Sequence, residues 1–142
     1  MSHQIYPCLW FNNEAGEAAA FYCSIFPHSS ILNQSPMVIN FELNGKHFMA
    51  LNQKGPQHLF NEAVSFVIPC DDQEEIDYYW HKLTADGGKE SMCGWCVDKF
   101  GVSWQMIPSM LGELMSQPDK AQRVVQAFLK MKKFDIETLK NA

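Results

Sequence analysis

The chain has 142 residues, of which 46% are apolar and 19% charged, and a formal net charge of −5. That length predicts one compact domain or two small units that share a core. The acidic balance argues against nucleic acid as a ligand, because nucleic-acid-binding surfaces are basic. The start MSHQIYPCLWF lacks a signal-like pattern, and no apolar run is long enough to span a bilayer, so we expect a cytoplasmic protein without a membrane partner.

The first part of the chain, residues 1–52, predicts a β-α-β-β-β unit. Its β-branched and aromatic content makes Ile5 to Phe11 a strand. Asn12 or Asn13 is then expected to cap a helix that Pro27 ends. Three more strands are predicted at Ser30 to Gln34, Met37 to Leu43 and Lys46 to Leu51, the last two joined by the turn Asn44-Gly45.

After a polar connection at residues 53–61, residues 62–108 predict a second unit of the same kind. Val64 to Cys70 is a predicted strand, and Asp72 with Glu75 forms a capping box at the start of a helix. A hairpin follows within Gly94 to Pro108, where the turn Asp98-Lys99-Phe100-Gly101 ends in a glycine able to take positive φ.

The two predicted units repeat one pattern. The hairpin around Asn44-Gly45 precedes the second hairpin by about 56 residues, and the two helices align at an offset of about 58. We therefore predict an α+β fold in which two βαβββ modules form a curved, barrel-like mixed sheet around a cleft. Phe48 and Trp104 are expected in equivalent core positions.

Residues 109–142 predict a helical tail with no counterpart in the repeat. Its best helix is Pro118 to Met131, with proline in the first turn and apolar residues along one face. The tail is expected to pack either on its own domain or on a partner subunit. Its many apolar side chains, several of them methionine, favour the second alternative and a homodimer.

The motifs of this chain resemble those of the vicinal-oxygen-chelate superfamily, which includes glyoxalase I, extradiol dioxygenases and the fosfomycin and bleomycin resistance proteins. Within that superfamily the chain is most similar to the PhnB-like proteins, often labelled demethylubiquinone methyltransferase-like. The matching segments are Leu9-Trp10-Phe11, Phe21-Tyr22, Phe41-Glu42-Leu43, Phe48-Met49-Ala50-Leu51, the run from Cys93 to Gln105, and much of the tail.

The resemblance also indicates where a metal would bind. The superfamily's ligand positions fall on Tyr6, Met49, Ala63 and Gln105, and only Gln105 is of a suitable type. Because a stable site needs three or more protein ligands, we predict no bound metal. No cofactor is predicted either, since none of the eight glycines forms the G-x-G turn of a nucleotide-binding methyltransferase.

Strand alternation predicts a cleft that would bind a small, partly apolar molecule. Alternatively, its side chains fill the interior of a small closed sheet, or the cleft serves an enzyme of the glyoxalase or dioxygenase type or a resistance-type transferase. Cys93 and Cys96 are interpreted as strand cysteines, and the five histidines are expected to face solvent. The cleft candidates are Tyr6, Cys8, Trp10, Met49, Leu51, Ser65, Ser103 and Gln105.

Overall fold

The structure, a computed structural model, describes residues 3–54 and 58–142 of the chain. It separates into two compact units, Met1–Leu59 and Phe60–Ala142. The predicted connection at residues 53–61 lies partly outside the described residues. None of the helices in the described ranges is long and apolar enough to cross a membrane.

The first unit is a four-stranded mixed sheet with one helix. The strand order is β1-β4-β3-β2, in which β1 runs parallel to β4 and the other neighbours are antiparallel. Its elements are β1 (Cys8–Phe11), α1 (Ala15–Ile25), β2 (Ser30–Gln34), β3 (Val38–Leu43) and β4 (Lys46–Asn52).

The second unit repeats this arrangement in the order β5-β8-β7-β6, again with a parallel pair of strands, β5 and β8. Its elements are β5 (Ser65–Cys70), α2 (Gln73–Thr84), β6 (Lys89–Glu90), β7 (Trp95–Val97) and β8 (Ser103–Pro108). The predicted α+β class and the two βαβββ modules are confirmed. One detail was wrong: the strands form two separate sheets and do not close into a barrel, because no strand of one sheet pairs with a strand of the other within the described residues.

The core of the first unit lies between α1 and one face of its sheet. Along β3 the residues are alternately half-buried and buried, and Ile39, Phe41 and Leu43 are the buried ones. The rings of Tyr22 on α1 and Phe41 lie 6.5 Å apart at an interplanar angle of 22°. Phe48 on β4 stacks on Phe41 and is half-buried, whereas its topological counterpart Trp104 on β8 is buried.

The N-terminus of α1 is capped differently from the sequence prediction. Asn13 has a positive φ of 64°, and Glu14 is the N-cap residue without a side-chain capping hydrogen bond. Instead, the backbone N–H of Ala15 donates to Oδ1 of Asn52, at the end of β4, over 3.1 Å. A strand of the same unit therefore supplies the missing acceptor for the first turn.

The second unit has an equivalent core, built from α2 and the facing side of its sheet. Ile76, Trp80 and Leu83 are buried on α2, and Ile68, Trp104 and Met106 are buried on the strands. The predicted cap is confirmed, because Asp72 Oδ1 accepts a hydrogen bond from the N–H of Glu75 over 2.9 Å. The short strand β6 was not predicted as a segment, since two residues are too few to show a period.

The turn between β7 and β8 is organised by the buried carboxylate of Asp98. Its Oδ1 accepts from the backbone N–H groups of Phe100 and Val102, and its Oδ2 accepts from Nε1 of Trp104 over 2.8 Å. One side chain thus joins the turn to a buried indole ring of this core.

The tail contains three further helices, α3 (Leu111–Met115), α4 (Pro118–Phe128) and α5 (Ile136–Lys140). The N–H groups of Cys93 and Gly94 donate to the carbonyl oxygens of Met131 and Lys132, each over 2.8 Å. The side-chain amide of Gln73 donates to the carbonyl of Phe134 and accepts from the N–H of Ile136, each over 2.9 Å. These hydrogen bonds fix residues 131–136 to their own unit.

Candidate functional site

Each sheet has one face that carries no helix, and the predicted site residues lie on these helix-free faces. In the first unit, the register pairs Cys8 with Met49 and Trp10 with Leu51. Tyr6 precedes β1, and its ring stacks on His47 with centroids 3.9 Å apart, which brings it to the same face. The first unit therefore brings five of the eight predicted site residues to one surface.

A polar row crosses the same face from β4 to β2. His47 Nε2 lies 2.9 Å from Oδ1 of Asn40 on β3, and Nδ2 of Asn40 donates to Oδ1 of Asn33 on β2 over 2.9 Å. We call His47, Asn40 and Asn33 the amide row. The prediction that all histidines face solvent was wrong for His47, which is half-buried.

Sequence reasoning missed the amide row, although a signal for it exists. His47 stands two residues before Met49, so strand alternation directs both side chains to one face. The Asn44-Gly45 turn then brings Asn40 to the neighbouring strand on that face. Period-2 alternation, applied to the polar residues as well as to the apolar ones, would have found the row.

Trp10 has a second set of contacts at the end of β1. Its Nε1 donates to the carbonyl of Gln53 over 3.4 Å, and its ring lies 4.4 Å from that of His58 at an interplanar angle of 46°. The indole thereby keeps a polar partner for its N–H while its ring stays half-buried on the helix-free face.

The helix-free face of the second unit holds the remaining three predicted site residues. Ser65 on β5 pairs in register with Ser103 on β8, and Nε2 of Gln105 donates to Oγ of Ser65 over 2.8 Å. The side chains of Val67, Trp95 and Val97 share this face by strand alternation and register. A hydroxyl–amide pair therefore lies within a mostly apolar surface.

Ser103 is the unusual residue of this face. It is only 1% exposed, and its Oγ has no hydrogen-bond partner in the part of the chain that the structure describes. Buried hydroxyl groups are nearly always hydrogen-bonded, and one without a partner costs about 1–3 kcal/mol. Its Oγ, on the residue paired with Ser65, is therefore the polar atom of this face that a ligand could satisfy.

The thiols of Cys8, Cys70 and Cys96 are poor nucleophiles. Burial raises the pKa of Cys70 and of Cys96 to about 12, and partial desolvation also raises the pKa of Cys8. All three therefore stay protonated at neutral pH, whereas the reactive form is the thiolate. Cys93 and Cys96 are both free in the structure, as are the other three cysteines.

The residues at the superfamily's metal-ligand positions do not form a suitable donor set. Tyr6 stacks on His47, Gln105 donates to Ser65, and Met49 and Ala63 offer a thioether and a methyl group. Across residues 3–54 and 58–142 no three His, Cys, Asp or Glu side chains are grouped so as to hold a metal ion. No chemical step is therefore assigned to a metal.

Comparison with protein families gives a match over residues 3–107 to the model described as 3-demethylubiquinone-9 3-methyltransferase. The chain belongs to this family. The match ends before α3, so the predicted resemblance of the tail to the family stays a prediction. No curated protein matches the chain significantly.

A solved member of this family has a similar structure. It is described as a putative 3-demethylubiquinone-9 3-methyltransferase, PhnB protein, from Bacillus cereus, with 32% identity and a TM-score of 0.68. The alignment covers 75% of this chain and 99% of that one. Because about a quarter of this chain lies outside the alignment, the two proteins differ in extent.

More distant structures show the fold alone. Protein PA1353 from Pseudomonas aeruginosa is 22% identical, with a TM-score of 0.63, and the alignment covers 75% of this chain and 98% of that one. The fosfomycin resistance protein FosX from Listeria monocytogenes, solved with Mn(II) and sulfate, is 16% identical with a TM-score of 0.59 and coverages of 83% and 98%. The fold is therefore that of the vicinal-oxygen-chelate superfamily, as the sequence motifs suggested.

Proposed function

We propose that this family member binds a small, partly apolar molecule on a helix-free sheet face, without a metal ion. The observation that carries the proposal is the buried Ser103 hydroxyl, which has no partner among the described residues. A ligand oxygen or nitrogen bonded to this hydroxyl would remove the cost of leaving it unpaired.

The surroundings of Ser103 suit such a ligand. Gln105 and Ser65 form a fixed amide–hydroxyl pair one strand step away, and Val67 and Val97 add apolar surface, with Val67 54% exposed. Small-molecule sites commonly combine a mostly apolar lining with a few placed polar groups. The unpaired hydroxyl and the paired amide would orient the ligand, while the apolar residues would contribute most of the binding free energy.

Replacing Ser103 by alanine is expected to raise the free energy of unfolding of the ligand-free protein by about 1 kcal/mol, because it removes a buried unpaired hydroxyl. Ser65→Ala is the matched control. It should lower stability by about 1 kcal/mol, since it breaks the hydrogen bond from Gln105. Urea unfolding of the three proteins would measure both changes, and a loss of stability in Ser103→Ala would contradict the assignment.

The function itself is tested by a thermal-shift screen of a metabolite library, run with and without divalent metal ions. Ligands of the native state raise the apparent melting temperature by mass action. We expect hits that are independent of metal and weakened by Ser103→Ala. Hits that require Mn²⁺ or Zn²⁺, or about one tightly bound ion per purified chain, would instead support an enzyme of the glyoxalase, dioxygenase or resistance-transferase type.

We do not propose methyl transfer, the activity in the family's name, for this chain. A nucleotide-binding methyltransferase binds its cofactor, which donates the methyl group, at a glycine-rich turn between a strand and a helix. The connections after β1 and β5 are Asn12-Asn13-Glu14 and Asp71-Asp72, without glycine. The family name therefore indicates which proteins this chain is related to, and our proposal is limited to the binding of a small molecule.

We also propose that the protein is a homodimer. Apolar side chains on α4 and beyond it are left partly or largely exposed, including Val125, Phe128, Leu129 and Met131. A second copy would cover such a surface, and methionine suits adaptable contacts. Light scattering should give a dimer mass at micromolar concentration, which Leu129→Glu should reduce to that of a monomer; a wild-type monomer would refute the dimer.

A further inference from the structure

The amide row on the first unit indicates a second binding site, separate from the surroundings of Ser103 on the second unit. We propose that His47 is the hydrogen-bond acceptor of this face, and that its Nδ1 binds the O–H group of a small molecule with an apolar body. This goes beyond the proposed function, because it adds a site on the first unit and names the class of ligand and one group that recognises it.

The first step concerns the orientation of Asn40. Its Nδ2 donates to Oδ1 of Asn33, so its remaining amide atom, Oδ1, faces Nε2 of His47. A carboxamide oxygen only accepts hydrogen bonds, so Nε2 of His47 must be the donor. The row therefore holds the imidazole in the tautomer with its proton on Nε2.

The second step concerns the other ring nitrogen. In a neutral imidazole with a proton on Nε2, Nδ1 carries the lone pair. His47 makes no other hydrogen bond within residues 3–54 and 58–142, and Glu42, its opposite partner in register, does not bond it there. A fixed acceptor without a donor is thus presented by a half-buried side chain.

The third step concerns rigidity and surroundings. Tyr6 stacks on the imidazole with an interplanar angle of 26°, which restrains the ring in addition to the hydrogen bond from Nε2. Met49 and Cys8 lie next along the same face, in register with each other. One restrained acceptor beside thioether, thiol and aromatic surface fits a molecule with one hydroxyl and an apolar body.

The tautomer can be measured directly. In protein labelled with ¹⁵N-histidine, long-range ¹H–¹⁵N spectra at neutral pH should show His47 with Nε2 protonated and Nδ1 bare. Asn40→Leu should convert that single form into an exchanging mixture of tautomers. His81→Gln, a change at an exposed position of α2, is the matched control. It should remove only the signals of His81 and leave those of His47 unchanged. A His47 resonance with the proton on Nδ1 would overturn the assignment.

Ligand recognition can be tested with phenol and anisole, which differ only in the methylation of the hydroxyl. Chemical-shift titration should give phenol an affinity roughly three- to tenfold above that of anisole, the gain of one net hydrogen bond. His47→Phe keeps a ring against Tyr6 but has no acceptor, so phenol and anisole should bind to this variant with about equal affinity. Circular dichroism would verify that the variant is folded, and His81→Gln should keep the preference.

The outcomes separate this inference from the proposed function. Equal binding of phenol and anisole by the wild type, no binding of either, or an unchanged preference in His47→Phe would each overturn the role of His47. A library ligand whose binding depends on Ser103 would still support small-molecule binding in that case. Failure of the library screen alone would instead leave phenol recognition at His47 intact.

Discussion

Replacing Asp98 by alanine is expected to lower the free energy of unfolding by about 4 kcal/mol, since hydrogen bonds to a charged group contribute about 1.5–3 kcal/mol each. Asp98 is 2% exposed, and its carboxylate accepts hydrogen bonds from the backbone N–H groups of Phe100 and Val102 in its own turn and from the indole N–H of Trp104. Alanine would leave these donors unpaired in a buried environment. The indole N–H of Trp104, which lies in the core, has the least access to water as a substitute.

Chemical denaturation monitored by tryptophan fluorescence would measure this loss. Asp98→Asn should cost less, because it keeps one accepting oxygen, and Glu74→Ala is the control for removing an exposed carboxylate near the start of a helix. The control should change stability by about 0.5 kcal/mol or less. A similar small change in Asp98→Ala would show that the turn does not depend on this side chain.

The second large effect is expected at Phe134, in the tail. Phe134→Ala should lower the free energy of unfolding by about 3–5 kcal/mol, the usual cost of removing a buried aromatic ring. The ring is 2% exposed, packs edge-on against Phe128, and lies against Gly94, where a Cβ atom would come within 2.8 Å of it. Its removal would leave a cavity between the tail and the loop before β7.

Glu137→Ala is the matched control in the same tail, because Glu137 is exposed and fills no cavity. Limited proteolysis provides a second measurement. The Phe134→Ala protein should be cleaved within residues 129–142 faster than the wild type, while cleavage in Glu137→Ala should be unchanged. Equal protection of both variants would contradict the docking of the tail on the second unit through Phe134.

The sequence predicted those features whose cause is local. The hairpin turn Asp98 to Gly101 and the cap at Asp72 were found because the residues that bond are two to six positions apart. The repeat then gave the two modules, since the same local signals recur in the same order. Strand alternation also predicted which face of each sheet carries no helix.

Features that depend on distant partners could not be predicted. The acceptor for α1 is Asn52, 37 residues from Ala15, and nothing near Asn13 indicates it. Gln73 bonds to tail residues 61 and 63 positions away, so its role looks like that of any polar residue in a first helical turn. In the candidate site, Ser103 was predicted from alternation, but its lack of a partner is a property of the packed structure alone.

The contacts of Gln73 have a consequence for the order in which the chain acquires its structure during synthesis. Domains form as their segments leave the ribosome, the N-terminal part first. The hydrogen bonds that join β1 to β4 and α1 to Asn52 lie within residues 7–53, whereas Gln73 at the start of α2 and Gly94 before β7 bond to residues 132–136. The first unit can therefore complete its hydrogen bonds on the ribosome, while the second must wait for residues that emerge about 40 to 60 positions later. Until then, the N–H groups of Cys93 and Gly94 lack their carbonyl acceptors, and the ring of Phe134 does not yet cover Gly94.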